Sequence, residues 1–160
     1  MLIQFDQMPD TSRVWIYQAE RKLSSQEIDF VKNSTSDFLS NWSAHGYGLK
    51  AAFKIEYDQF LVITVDESFS QASGCSIDAS VNLIKALEQQ TGISFITNGL
   101  VGFLIENEVK LLPFNEIKKE ISANHISEST PMFNNTIQHL SDFKSKWLVE
   151  SGQGWVSRYF

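Results

Sequence analysis

The sequence predicts an α+β fold, with a mixed or antiparallel sheet and helices packed on one face of it. The central observation is Phe60–Val65, an almost fully apolar run that suits a strand in the interior of a sheet. Helical patterns lie on either side of it, and other short β-branched and aromatic segments have strand character. The order β-α-β-β-α-β is compatible with a ferredoxin-like core extended by a hairpin and C-terminal helices. A length of 160 residues fits one domain, residues 1–160.

The first strand and helix have the clearest boundaries. Residues 14–19 are β-branched and aromatic and predict a strand. Ser24 and Glu27 have the spacing of a capping box, so a helix should begin at residue 25. Its apolar stripe continues to Trp42, and Gly46 is placed for a left-handed C-cap, with His45 near the helix end. We therefore expect a helix over residues 25–45.

The next elements form a hairpin and a second helix. Residues 52–57 alternate between apolar and polar, which predicts a strand that pairs with Phe60–Val65 through a short turn. Residues 77–91 carry apolar side chains at helical spacing, and Gly92 should end that helix. We expect both helices to pack on the same sheet face.

The second half begins with a hairpin of residues 100–105 and 109–112, followed by a short helix containing Ile117. Ser141 is a candidate cap for a last helix. The end of the chain is rich in aromatic residues, so we expect it to dock, with Trp155 and Phe160 largely buried against the domain or against a second copy of the chain.

Composition excludes several classes of protein. A net charge of −6 argues against a protein that binds nucleic acid, which requires a basic face. No apolar run approaches the length of a membrane span, and the first residues lack the pattern of a secretory signal. A single cysteine cannot form an internal disulfide, so we expect a cytoplasmic protein.

The strand–loop–helix junction at residues 66–78 is the candidate site. A loop that opens a helix presents free backbone N–H groups and the positive end of the helix dipole. The candidate ligand-binding residues share this position at or next to the loop: Ser73, Gly74, Cys75, Ser76 and Asp78. The expected ligand is a small anion, although Asp78, if it lies in the first turn, would partly neutralise the dipole.

Two residues of this junction are candidates for catalysis. Cys75 could act as a nucleophile if its pKa were lowered, and Asp66 ends the apolar strand beside the loop. The structural interpretation is favoured for both residues. It makes Cys75 a buried packing residue beside a helix capped by Ser73 or Ser76, and it makes Asp66 a carboxylate that satisfies loop amides.

Signatures of cofactor and metal chemistry are absent from the sequence. No segment has the glycine and lysine spacing of a Walker A loop or the glycine spacing of a dinucleotide fold, so ATP hydrolysis is not expected. The three histidines are far apart, and no pair of residues has metal-ligand spacing. We expect neither a metal nor a cofactor.

Five segments resemble a family of short bacterial proteins of uncharacterised activity that are often labelled ABC transporter ATPases. The segments are residues 9–18, 42–46, 73–80, 133–135 and 155–160, which span nearly the whole chain. The closing motif of the family carries a histidine where this chain has Val156. The resemblance implies bacterial relatives and supplies no mechanism.

These observations favour a non-enzymatic cytosolic domain that binds a partner protein or a small anionic ligand. The rival hypothesis is an enzyme that uses Cys75 or Asp66 at the 66–78 junction. Either hypothesis is compatible with a homo-oligomer that pairs through an exposed strand edge or through the aromatic tail.

Overall fold

A computed structural model of the chain describes residues 1–96 and 99–160. The α+β class is confirmed, with helices beside antiparallel sheets. The elements in chain order are β1 (Arg13–Gln18), α1 (Ser25–Asn41), β2 (Ser43–Ala44), β3 (Tyr47–Gly48), β4 (Ala51–Glu56), β5 (Phe60–Val65), α2 (Gly74–Thr91), β6 (Leu100–Ile105), β7 (Glu108–Pro113), α3 (Ile117–Ser122), β8 (Pro131–Phe133), α4 (Leu140–Lys146) and β9 (Leu148–Glu150). Among the described residues, no helix combines the length and the apolar character needed to cross a membrane.

The first sheet has the order β1-β5-β4, and both pairs are antiparallel. All six residues of β5 are buried, as predicted for an interior strand. Alternate residues of β5 face two different cores: Leu61, Ile63 and Val65 face one, and Phe60 and Val62 face the other. Burial on both faces explains why this strand shows no alternation of polar and apolar residues.

Helices α1 and α2 pack on the same face of this sheet, as predicted, and share its core through Val31, Leu39, Ile84 and Leu87. The capping box of α1 is present, since Ser24 Oγ accepts from Glu27 N at 3.2 Å and Glu27 Oε1 accepts from Ser24 N at 2.8 Å. The predicted end of α1 is wrong, because the helix stops at Asn41. Gly46, with a φ of +80°, lies together with His45 in the turn between β2 and β3. Gly92 does end α2 in a left-handed conformation.

The ferredoxin-like topology is wrong. That topology requires β6 to join the first sheet, whereas β6 belongs to a second sheet of order β7-β6-β8-β9. The outer edge of β1 is occupied instead by the segment before α4, where Val14 N donates to Gln138 O at 2.9 Å and Arg13 forms a bridge with His139. In the hairpin of β6 and β7, the free edge of β6 therefore pairs with β8.

Helix α4 lies on the sheet face opposite α1 and α2, so the prediction of helices on one face does not hold for it. It packs there with an aromatic cluster around Phe60, Phe133 and Trp147. The predicted Ser141 cap is also wrong, since α4 begins at Leu140 and His139 stands at the N-cap without a side-chain bond.

On the domain itself, the C-terminal segment docks through Val156 and not through Trp155 and Phe160, whose burial against a second copy stays a prediction. Residues Trp155–Tyr159 form a 3₁₀-helix, in which side chains three positions apart share a face. Val156 is fully buried and Tyr159 partly buried, whereas Trp155 is 43% exposed and Phe160 is 40% exposed. A Cβ atom on Gly154 would overlap the sulfur of buried Met132, so the absence of a side chain lets the segment approach this closely.

Candidate functional site

The predicted junction at residues 66–78 is partly capped by its own side chains. The sequence predicted either Ser73 or Ser76 as the N-cap of α2. The helix begins at Gly74, and Ser73 is the N-cap. Ser73 Oγ accepts from Ser76 N at 3.1 Å, and Ser76 Oγ accepts from Ser73 N at 2.7 Å. This reciprocal pair satisfies one N–H of the first turn and the N–H of the cap itself.

The two carboxylates before the loop hold the loop together. Asp66 Oδ1 accepts from Ser68 N at 3.0 Å and from Ser68 Oγ at 2.6 Å, and Lys50 Nζ lies 3.6 Å from Asp66 Oδ2. The hydroxyl of Ser68 lowers the pKa of Asp66 against the opposing effect of burial. Glu67 accepts from Ala72 N at 3.2 Å and lies 3.6 Å from an Arg13 nitrogen. Both carboxylates therefore have structural partners.

Cys75 is exposed, and the expectation of a mostly buried thiol is wrong. The buried stripe of α2 passes through Ser76, Ser80, Ile84 and Leu87, at helical spacing. Cys75 is one residue off that stripe and is therefore rotated toward solvent. Asp78 lies beyond the first turn, because the helix begins earlier than expected, so it does not complement the dipole there.

The structure brings together another set of residues that sequence reasoning did not assign to a site. The end of β1, the start of β6 and the residues after β8 enclose a cleft of about 310 Å³, here called the amide cleft. Its polar lining consists of Gln18, Asn134, Asn135 and Thr136. Its apolar lining includes Phe114, Phe133 and Trp155, and residues 99–102 form the remaining wall. None of these lining side chains is ionisable.

A chain of hydrogen bonds fixes the orientation of two amides in the cleft. Trp147 Nε1 donates to Asn135 Oδ1 at 2.9 Å, Asn135 Nδ2 donates to Gln18 Oε1 at 3.1 Å, and Gln18 Nε2 donates to Leu100 O at 3.3 Å. The side-chain oxygens of Asn135 and Gln18 therefore each accept a hydrogen bond in this series. Each of the two side-chain nitrogens uses only one of its two hydrogens among the described residues.

Asn134 extends the same pattern. Its Oδ1 accepts from Thr136 N at 3.2 Å and from Thr136 Oγ1 at 2.5 Å. Its NH₂ group makes no hydrogen bond to any residue in the described ranges, 1–96 and 99–160. The amide cleft is therefore rich in unused N–H donors, while the oxygens of its amides already have donors.

Gly102 is the position at which β6 passes Gln18. A Cβ atom there would lie 3.0 Å from Gln18 Oε1 and 3.1 Å from Phe133 Cδ2. The backbone φ of Gly102 is not in the left-handed region, so the requirement for glycine comes from packing alone. The bare backbone lets the Gln18 amide reach its position in the cleft.

A wider cleft of about 500 Å³ lies beside the turns that follow β4 and β6. Its ionisable lining mixes three acidic residues (Glu20, Asp58, Glu108) with three basic ones (Arg21, Lys22, Lys110). Arg21 is held by Glu27 at 2.9 Å, and Lys110 lies 3.8 Å from Glu120. The charges of this cleft balance, and two of its cations have carboxylate partners. Its lining therefore indicates a class of ligand less clearly than that of the amide cleft.

No protein-family model matches this chain, and neither curated proteins nor solved structures provide a match. The resemblance to the bacterial family stays a prediction. In the described part of the chain, no group of three or more His, Cys, Asp or Glu side chains is placed to hold a metal ion. What the site binds must therefore be inferred from its own residues.

Proposed function

We propose that this chain is a non-enzymatic binding domain that holds a small ligand in the amide cleft. The observation that carries the proposal is the set of unused N–H donors on Gln18, Asn134 and Asn135 beside an aromatic wall. Such donors pair with carbonyl, hydroxyl or acid oxygens, and an aromatic wall favours a flat apolar group. The expected ligand therefore joins oxygen acceptors to a planar ring.

The size of the cleft favours a small molecule over a partner protein. A volume of about 310 Å³ falls at the lower end of the range of small-molecule sites, roughly 300–1,000 Å³. The described lining residues offer no general acid or general base of the usual types, and the one hydroxyl among them, that of Thr136, donates to Asn134, which supports binding without catalysis. The alternative enzyme at the 66–78 junction would use Cys75, which is exposed in the first turn of α2, or Asp66, whose oxygens already contact Ser68 and Lys50.

The cellular setting that we propose rests on sequence. The single cysteine suits the reducing cytoplasm, and the resemblance suggests a bacterial source.

Saturation-transfer NMR with two neutral planar probes, adenosine and indole-3-acetamide, tests the proposal. At least one probe should give a signal with the wild-type protein. Asn134→Asp should reduce it strongly, because the aspartate keeps the oxygen that accepts from Thr136 but replaces the free NH₂ donor with an acceptor. Asn33→Asp, which adds the same charge on the exposed surface of α1, is the matched control and should leave the signal unchanged.

Trp155→Ala provides a second arm, because it removes part of the aromatic wall. Its control is Phe69→Ala, which removes an aromatic side chain that is 63% exposed in the loop before α2. Loss of signal in Trp155→Ala alone supports the proposal. No signal with either probe, or equal signals in all variants, would reject the amide cleft as a binding site.

A further inference from the structure

Arg158 lies next to Trp155 of the amide cleft and contacts two aromatic rings. Its guanidinium carbon is 5.5 Å from the centre of the Trp155 ring and 5.2 Å from that of Tyr159. The spacing of three residues between Trp155 and Arg158 places both on one face of the 3₁₀-helix. Trp155 is thus shared: its ring contacts Arg158 and also lines the cleft.

Arg158 also lacks the acidic partner that the other arginines have. Arg13 lies 3.6 Å from Glu67, and Arg21 lies 2.9 Å from Glu27. Arg158 contacts no carboxylate within the ranges that the structure describes. Its guanidinium therefore has no ion-pair partner among the described residues, on a protein whose net charge is −6.

Contact with aromatic rings prepares a guanidinium for binding an anion. The rings of Trp155 and Tyr159 restrict where the Arg158 guanidinium can move, while its N–H donors make no hydrogen bond to the described residues. Planar, bidentate hydrogen bonding to carboxylate or phosphate oxygens is the interaction for which this edge is best suited. A ligand group bound at Arg158 would lie beside the ring that walls the amide cleft.

From this arrangement we infer that the ligand carries an anionic group, a carboxylate or a phosphate, that Arg158 binds while its planar part occupies the amide cleft. The inference rests on the proposed function, since it extends the same site. The N–H donors of the cleft supply no formal charge, so Arg158 provides the discrimination between an acid and its neutral analogue.

Two matched pairs of probes test the inference by isothermal titration calorimetry at low and high salt. Indole-3-acetate is compared with indole-3-acetamide for a carboxylate, and adenosine 5′-monophosphate is compared with adenosine for a phosphate. Because Arg158 is exposed, its ion pair is screened, and we expect the preferred acid to bind about twofold to fivefold more tightly than its neutral analogue. The preference should shrink as salt is raised.

Variants separate the charge of Arg158 from its geometry. Arg158→Gln should abolish the preference for the acid and leave the affinity of the neutral analogue within about twofold. Arg158→Lys should keep part of the preference, because it retains the charge without the planar fork. Lys85→Gln, which removes an exposed cation from α2, should change neither affinity.

The outcomes distinguish this inference from the proposed function. Equal affinity for acid and neutral analogue in the wild-type protein overturns the role of Arg158 and leaves the binding site standing. The same conclusion follows if Arg158→Gln keeps the preference. Failure of all four probes to bind rejects the proposed function, and the inference falls with it. The pair that shows the preference identifies the anionic group as carboxylate or phosphate.

Discussion

Val156 provides the sharpest test of how the C-terminal segment is attached. Its side chain is fully buried in a cluster with Phe103, Ile117 and Met132. Val156→Ala removes two methyl groups, which at about 0.8 kcal/mol for each buried carbon contribute about 1.6 kcal/mol. The residual cavity adds a further term of about 24 cal/mol per Å³, so the expected loss in unfolding free energy is about 2–3 kcal/mol.

Urea unfolding, followed by tryptophan fluorescence and by circular dichroism, measures this loss. The midpoint should fall while the dependence of the free energy on urea is unchanged, since the fold itself is retained. Val109→Ala is the matched control: this valine of β7 is half-buried, so the same deletion should cost about 1 kcal/mol or less. A loss below about 0.5 kcal/mol at Val156 would refute the docking of the segment through this residue.

Three further predictions concern the two candidate sites. Asp66→Asn should flatten the loss of stability in acid: the pKa of Asp66 is lowered in the folded protein, so the carboxylate stabilises above its unfolded pKa of about 4 and loses this effect as the pH falls through the folded value. Thermal unfolding from pH 7 to pH 2 checks this, and identical profiles would contradict it. Gly102→Ala should displace the Gln18 amide and weaken probe binding in a protein that still unfolds cooperatively on heating. Unchanged binding would show that the close approach of Gln18 to residue 102 is not needed. Cys75 should react with iodoacetamide in the native protein as completely as in urea, and protection in the native state would contradict its exposure.

Local signals in the sequence predicted the elements around β5 well. The capping box at Ser24, the left-handed Gly92 and the serine cap of α2, predicted as either Ser73 or Ser76, each depend on residues within one helical turn, so short spacing rules point to them. The burial of Phe60–Val65 also followed from composition alone, because a strand covered on both faces has no polar side.

Sheet topology and the tail depend on distant contacts, and there the sequence was less informative. No local rule indicates that the residues before α4 cover the edge of β1, which excludes β6 from the first sheet. In the tail, aromatic side chains suggested burial, but the geometry of the 3₁₀-helix and the bare backbone of Gly154 place the smaller Val156 in the core.

The amide cleft could not be predicted for a similar reason. Gln18 and Asn135 are 117 positions apart, and amides carry no motif comparable to a phosphate loop or a metal site. The sequence predicted a site at residues 66–78 because free N–H groups at a helix start have a recognisable pattern. The structure shows that Ser73 and Ser76 satisfy part of that pattern, while the ligand role of the junction stays a prediction.

The most direct measurement of where the ligand binds is a ¹⁵N–¹H correlation spectrum recorded during titration with indole-3-acetate. If the amide cleft is the binding site, the side-chain NH₂ signals of Gln18, Asn134 and Asn135 should shift together with the indole N–H of Trp155. The side-chain NH₂ signal of Asn33, on the exposed surface of α1, should stay in place. Shifts confined to backbone amides of residues 73–76, with the cleft amides unmoved, would contradict binding in the cleft and return the site to the start of α2.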